Sequence, residues 1–293
     1  SFDINKLVNH SRAAATKLSG GIEYLLRKNR VIVFEGTAKL TGKCKLQVST
    51  KNKVISINAM HVIVATGARP RELPNLPANR NIIWTAREAM TPKNLPERLL
   101  IVGAGAIGCE FASFYADLGS HVTLVEAVDH ILPTEDKEIS QLAGRAFLTR
   151  GIDILTDSLI SRIAITNDRV EAEIKNQGKT SKLVADRVIL AIGVSGNTEN
   201  LGLESLNVEV ENSFIKTDQW CRTNVEGLYA IGDVAGAPWL AHKASHEAVI
   251  CVEHIAGEPT SKPLNRTQIP GCTYCRPQLA SVGLTEQGAK QQG

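Results

Sequence analysis

Six residues near the middle of the chain, Gly103-Ala104-Gly105-Ala106-Ile107-Gly108, have the spacing of a phosphate-binding turn. They follow the apolar run Arg98 to Val102 directly and open a stretch with helical character that stops at Gly119. Gly103 permits a tight turn, Gly105 lets backbone approach a pyrophosphate, and Gly108 lets the helix pack close on the strand. The helix N-terminus then faces the negative phosphates. A lone G-x-G-x-x-G is weak evidence. Here Glu126 ends the next apolar run about 20 residues on, where a carboxylate can accept hydrogen bonds from ribose hydroxyls. The residues after it, Ala127-Val128-Asp129-His130, offer no Arg or Lys for a 2′-phosphate, so the pattern predicts NAD rather than NADP.

A second motif is Gly227-Leu228-Tyr229-Ala230-Ile231-Gly232-Asp233, a short strand ending on glycine with an Asp just beyond. Such an Asp alone reads as a helix cap. Beside an internal repeat it reads differently, as a group placed to bind a polyol chain. Trp239-Leu240-Ala241-His242 then leads into a helix ending near Gly257, whose N-terminus can stabilise charge on an electron-rich ring.

The elements that must position these groups follow from periodicity. Residues 5–29 have apolar positions at helical spacing, with Gly20-Gly21 as a weak point. Strand-like runs come next: Val31 to Phe34, Lys45 to Val48 and Val54 to Ile57, separated by turns, which predicts an antiparallel meander. His61 to Gly67 ends on glycine as a buried parallel strand would. Residues 70–77 hold Pro70, Pro74 and Pro77 and predict a stiff connector at a domain boundary. Strands are expected at 122–125, around 152–165, at 169–174 and at 188–192, with a helix over 136–149.

The repeat decides the organisation. Val62–Gly67 (VIVATG) and Val188–Gly193 (VILAIG) are alike, and each follows a polar, turn-rich meander. The second copy has its glycine turn 90 residues upstream, from Gly103 to Gly193. The same plan would put the first copy's turn ahead of residue 1. The expectation is one whole nucleotide domain embedded in another that lacks its beginning.

Composition bounds the rest. In 293 residues, 43% are hydrophobic and 22% charged, which fits a globular chain of about two domains. Net charge is +3, from 33 basic and 30 acidic residues without a basic tract, so nucleic acid is not an expected partner. No apolar run approaches the ~20 residues of a membrane helix. The six cysteines are too scattered for a secreted disulfide scaffold and suggest a reducing compartment, bacterial cytoplasm or mitochondrial matrix. Cys272 and Cys275 form one CxxC without a second pair, and His242 and His246 lack a third ligand, so no metal site is expected.

Taken in order, ATGARP (65–70), GAGAIGCEFASFYADLG (103–119), Glu126, AIG (191–193), GLYAIGDVAG (227–236), WLAHKASHE (239–247) and IPGCTYCRPQLASVGLTE (269–286) resemble the FAD- and NAD-dependent pyridine nucleotide–disulfide oxidoreductases. The likeness covers essentially the whole chain and is greatest to the branch that reoxidises dihydrolipoyl groups. It implies an α/β fold: an NAD-binding Rossmann-like domain inserted into an incomplete FAD-binding Rossmann-like domain, then the start of an α+β interface domain. The implied limits are 1–75 for the second half of the FAD domain and 76–193 for the NAD domain. Residues 194–263 would be the FAD-domain return and 264–293 the start of a dimer-interface domain.

By this resemblance Thr66, Gly67, Ala68 and Ala38 lie along FAD, Asp233 holds its ribityl chain, and Trp239, Leu240, Ala241 and His242 pass the isoalloxazine ring. Gly103, Ala104, Gly105, Ala106, Ile107, Gly108, Cys109 and Glu110, with Glu126, Gly193 and Ile160, would hold NAD. In the family, the Glu at the position of Glu110 also lies close to the flavin and pairs with a Lys that this chain lacks. The implied partners are a second copy of the chain and the lipoyl domain of a 2-oxo acid dehydrogenase or glycine cleavage complex. The family's CxxxxC pair and its C-terminal His–Glu pair do not occur here, and the turn after Gly193 lacks the Arg of the common GRxPN. No catalytic residue is therefore assigned, and the isolated chain is expected to lack lipoamide activity. An NADH oxidase-like flavoprotein and a non-catalytic nucleotide-binding module are the competing expectations.

Overall fold

In the computed structural model, residues 3–73, 77–166 and 168–293 are described; Ser1, Phe2, Asn167 and the Pro74 to Leu76 part of the connector lie outside them. Contacts divide the chain into two units. One is built mainly from 70–193 and 270–293, the other from 15–69 and 194–269.

The first unit is organised by a parallel five-stranded sheet. Its order is Ile83–Trp84, Arg187–Leu190, Arg98–Val102, His121–Val125 and Asp153–Leu155. Both faces are buried, which is why these strands are near-continuous apolar runs. The two-residue period sorts their side chains between two layers. Leu99, Ile101, Val122, Leu124 and Ile189 pack with Cys109, Ala112, Tyr115, Ala143 and Phe147 of the helices Ala106–Asp117 and Lys137–Thr149. Leu100, Val102, Val125, Val188 and Leu190 pack with Val170, Ala172 and Ile174. Those three belong to an antiparallel sheet of Ser158–Thr166, Arg169–Asn176 and Lys179–Ala185. This unit is a sandwich of helices, parallel sheet and antiparallel sheet.

Asp136 ties two distant segments of this unit. Its Oδ1 accepts the Glu138 N–H at 3.1 Å, capping Lys137–Thr149, and its Oδ2 accepts the Glu286 N–H at 2.8 Å at the start of the helix Glu286–Gln292. These N–H groups, that of Glu286 foremost, hold the carboxyl below its usual range. A depressed carboxyl contributes stability above its unfolded pKa that is lost as pH falls through the folded value. The protection factor of the Glu286 amide, its exchange by NMR relative to the intrinsic rate at each pH, should therefore fall as the pH drops below the ordinary carboxylate range. Asp136→Asn should remove most of that pH dependence.

The second unit has an antiparallel meander, Thr37–Gly42, Lys45–Ser49 and Val54–Asn58, and a parallel pair, Val62–Val64 with Leu228–Ala230. Leu40, Val62, Val64, Leu203, Ile215, Leu228, Ala230 and Val234 form its main core. A 3-10 turn, Gly232–Ala235, and the helix Ala241–Ala256 follow the parallel pair.

One expected strand is absent. Val31 to Phe34 lie outside any strand and are well exposed, Ile32 at 76%. The Val31 N–H instead closes the preceding helix on the Leu26 carbonyl at 3.0 Å, and regular pairing starts only at Thr37. The preceding helix, Ile4–Lys28, has no buried residue, so the apolar positions Leu18, Ile22 and Leu25 that reveal it in sequence are exposed.

Candidate functional site

In the first unit, strand Arg98–Val102 runs into Gly103, whose φ of +98° favours glycine. A Cβ there would press into the carbonyl of Ala191, and one on Gly108 would press into the carbonyl oxygen of Gly103. Both glycines are needed for the turn itself. Gly105 differs: its φ is −71°, and a Cβ would meet nothing within 4 Å. Its bareness leaves an open approach to the helix behind it. That helix has no side-chain cap, and Cys109 is the first residue whose N–H finds an intrahelical partner, Gly105, at 3.0 Å. The N–H groups of Ala106, Ile107 and Gly108 have no acceptor among the described residues, which is the condition for holding an anion.

Glu126 is joined to this turn. Its Oε2 accepts the Ala104 N–H at 2.6 Å, while Oε1 accepts those of Ala127 and Val128 at 2.8 and 3.2 Å. The carboxylate is thereby fixed at the strand end beside the glycine turn. Gly193, φ +98°, lies three residues beyond the parallel strand Arg187–Leu190, which pairs with Arg98–Val102, and has open space at its Cβ position. Ile160 is half-buried against the second core layer. Ala106 and Ile107 are exposed.

Three residues of this set are occupied differently from a free ligand contact. Ala104 and Cys109 are fully buried, so their side chains belong to the core. The Cys109 thiol donates to the Ala104 carbonyl at 3.3 Å, and burial pushes its pKa up. Glu110 accepts the Tyr274 N–H at 2.8 Å. That contact ties the helix to the segment around Cys272 and Cys275, which sequence patterns had not connected with it. Cys275 is buried and Cys272 exposed. Among the described residues no group of three or more His, Cys, Asp or Glu could hold a metal ion. No helix there is long and apolar enough to cross a membrane.

In the second unit, the Thr66 hydroxyl donates to the Asn197 carbonyl at 2.7 Å and the Thr66 carbonyl accepts the Asn197 Nδ2 at 2.9 Å. The Asn197 N–H also donates to the Gly67 carbonyl at 3.0 Å. Gly67, φ +70°, is thus cross-braced next to Ala68. Ala38 is exposed on the first meander strand, opposite Val48. Asp233 lies in the 3-10 turn, where Val234 and Ala235 are buried, yet its own carboxylate has no hydrogen-bond partner among the described residues. Trp239 is exposed and lies 5.7 Å from Phe214, ring to ring. Leu240 precedes the helix Ala241–Ala256, and Ala241 and His242 are exposed in its first turn.

Two residues of this region were missed by sequence reasoning. Lys243 and Glu247 are fully buried and hydrogen-bond the 3-10 turn. Their i, i+4 spacing is that of an ordinary surface pair, so no sequence signal separates the two cases. Two depressions of about 650 and 680 Å³ lie around Arg222 and around Arg80; the first is lined in part by Gly227, Leu228 and Tyr229 of the second motif, and neither holds a residue expected to contact a cofactor.

Residues 3–248 match the pyridine nucleotide-disulphide oxidoreductase family. Over 294 residues the chain is 49% identical to a dihydrolipoyl dehydrogenase of Zymomonas mobilis, covering all of this chain and 63% of that protein. A Rhizobium etli protein of the same name is 43% identical over 307 residues, covering 99% of this chain and 64% of that one. The chain thus spans somewhat under two thirds of the curated relatives it matches. Among solved structures, LpdA from Mycobacterium tuberculosis superposes with a TM-score of 0.93 at 26% identity, over 100% of this chain and 64% of that one. A flavoprotein disulfide reductase, RclA of Escherichia coli, gives 0.89 at 25% identity, over 100% and 66%. The profile match over most of the chain and the high identity along its whole length settle the kinship: the chain belongs to the pyridine nucleotide-disulphide oxidoreductase family.

Proposed function

We propose that these residues supply the NAD site and part of the flavin site of a dihydrolipoyl dehydrogenase, which oxidises protein-bound dihydrolipoamide and reduces NAD⁺. The observation that carries the reading is the glycine turn, with three unpartnered N–H groups facing an approach that the bare Gly105 leaves open. A pyrophosphate fits that cradle. Glu126, oriented by three backbone N–H groups, keeps one carboxylate acceptor site, on Oε2, for a ribose hydroxyl. Gly193 and Ile160 flank the nucleotide, Ala106 and Ile107 meet it at the helix start, and Ala104, Cys109 and Glu110 brace the turn from behind.

The second unit takes FAD in this reading. The free carboxylate of Asp233 is the acceptor for ribityl hydroxyls, and the braced Thr66-Gly67-Ala68 turn lies along the cofactor with Ala38 toward its adenine end. Trp239, Leu240, Ala241 and His242 border the ring. Bound FAD supplies two-electron exchange between a dithiol and NAD⁺, while the protein binds and orients. The reading takes a lipoyl domain of a 2-oxo acid dehydrogenase or glycine cleavage complex as electron donor, a homodimer as the working form and bacterial cytoplasm as the setting. No CxxxxC pair or HPTxSE-like segment occurs in the 293 residues, so no thiol or base of the reaction is assigned among them.

The protein expressed from its complete coding sequence should bind FAD and form NADH from NAD⁺ only when dihydrolipoamide is present. NADH consumption by oxygen with no response to dihydrolipoamide would replace this reading by the NADH oxidase one.

A further inference from the structure

Lys243 and Glu247 lie one turn apart on Ala241–Ala256 with side chains only 0% and 2% exposed. The Lys243 ammonium donates to the Gly232 carbonyl at 2.9 Å and to the Gly236 carbonyl at 2.8 Å, and is ion-paired with Glu247 Oε1 at 3.2 Å. Glu247 Oε2 accepts the Gly232 N–H at 2.7 Å. Both polar groups of the Gly232 peptide residue are therefore held from one helix face, and the same ammonium closes the far end of the turn at Gly236. Those two glycines have φ of +72° and +93°, so the backbone between them follows a path that few residues could take. Within it the Gly236 N–H donates to the Asp233 carbonyl at 3.1 Å.

Burying two charges is expensive, and a pair so placed adds little net stability over apolar packing of the same volume. What this pair does achieve is geometric. It fixes the turn from Gly232 to Gly236, in which the Asp233 carboxylate has no hydrogen-bond partner among the described residues. The other polar groups facing the pair are the Arg266 guanidinium, 4.0 Å from Glu247 Oε1, and the Cys221 thiol, which donates to the Glu247 carbonyl at 3.7 Å. Neither reaches the turn.

We propose that the buried Lys243–Glu247 pair is a positioning device for Asp233, clamping the Gly232–Gly236 turn so that its carboxylate is presented to the ribityl hydroxyls of FAD. The inference rests on the flavin reading above and assigns Lys243 and Glu247 no contact with the cofactor. A ligand-binding group needs its supporting residues locked by packing and hydrogen bonds to hold productive geometry, and the pair provides that lock.

The test uses the protein from its complete coding sequence, with FAD affinity, visible circular dichroism of bound flavin, and melting of the apoprotein as readouts. The double variant Lys243→Met/Glu247→Leu removes both charges and leaves neither orphaned. It should fold but melt below the wild type, because the Gly232 N–H and carbonyl and the Gly236 carbonyl lose their partners, and the folded protein should bind FAD at least about ten-fold more weakly, with an altered flavin dichroism. The near-isosteric Glu247→Gln keeps an acceptor for the Gly232 N–H but withdraws the carboxylate from Lys243. It should fold and show a smaller change in the same direction. Wild-type affinity and dichroism in either folded variant, with FAD binding lost in Asp233→Ala, would overturn the clamp and leave the flavin reading standing. Wild-type FAD affinity in Asp233→Ala would overturn the flavin reading itself.

Discussion

Gly103→Ala should abolish detectable NADH binding and lower the stability of the protein by about 2–5 kcal/mol, the sum of a strained backbone conformation and an overpacked contact. The residue sits at φ +98°, and its Cβ would enter the carbonyl of Ala191, just past the strand Arg187–Leu190 that pairs with Arg98–Val102. Neither partner is a flexible side chain, so the sheet end must move. Gly105→Ala makes the informative contrast. It has an ordinary φ and open space at Cβ, so stability should change by no more than about 1 kcal/mol. Its methyl would still stand in the approach of the proposed pyrophosphate, and NADH affinity should fall at least about ten-fold. Urea unfolding and NADH fluorescence titration on the two variants separate a turn that needs glycine to fold from one that needs it to bind.

Tyr115→Ala should show the opposite pattern, with a loss of about 3–5 kcal/mol in urea unfolding and NADH affinity retained wherever the protein remains folded. Tyr115 is fully buried in the helix that starts at the glycine turn. Its ring meets Phe114 edge-on at 5.2 Å and lies near Trp84 and Phe111. Its hydroxyl donates to the Ala89 carbonyl at 2.7 Å, tying the short helix Ala86–Ala89 to this one. Tyr115→Phe keeps the ring and strands that carbonyl, so it should cost only about 1–3 kcal/mol. Such a split would show that the C-terminal part of this helix serves packing while its first turn serves the ligand.

What could be read from sequence was governed by how local its physical cause is. The helix expected at 5–29 spans Ile4–Lys28, and the run after Pro96 is the strand Arg98–Val102, because hydrophobic period and glycine stops act within one element. Lys179–Ala185, mostly polar and exposed, gives no such period and was not anticipated. Val31 to Phe34 had a strand's composition but pairs with nothing among the described residues, since composition specifies no partner. In the candidate site, the roles of Gly103 and Gly108 in the turn follow from spacing alone. The burial of Cys109, the Glu110–Tyr274 contact and the Lys243–Glu247 pair depend on residues brought from elsewhere in the fold. A Lys four residues from a Glu reads as a solvated helix face until the turn at Gly232 packs over it.

Steady-state reduction of NAD⁺ by dihydrolipoamide, compared between wild type and Gly105→Ala in the protein from its complete coding sequence, tests the central claim most directly. Dihydrolipoamide should drive NADH formation in both, with equal FAD content and a KM for NAD⁺ raised at least about ten-fold in the variant. An unchanged KM, or no NADH formed from dihydrolipoamide by the FAD-loaded wild type, would contradict the account.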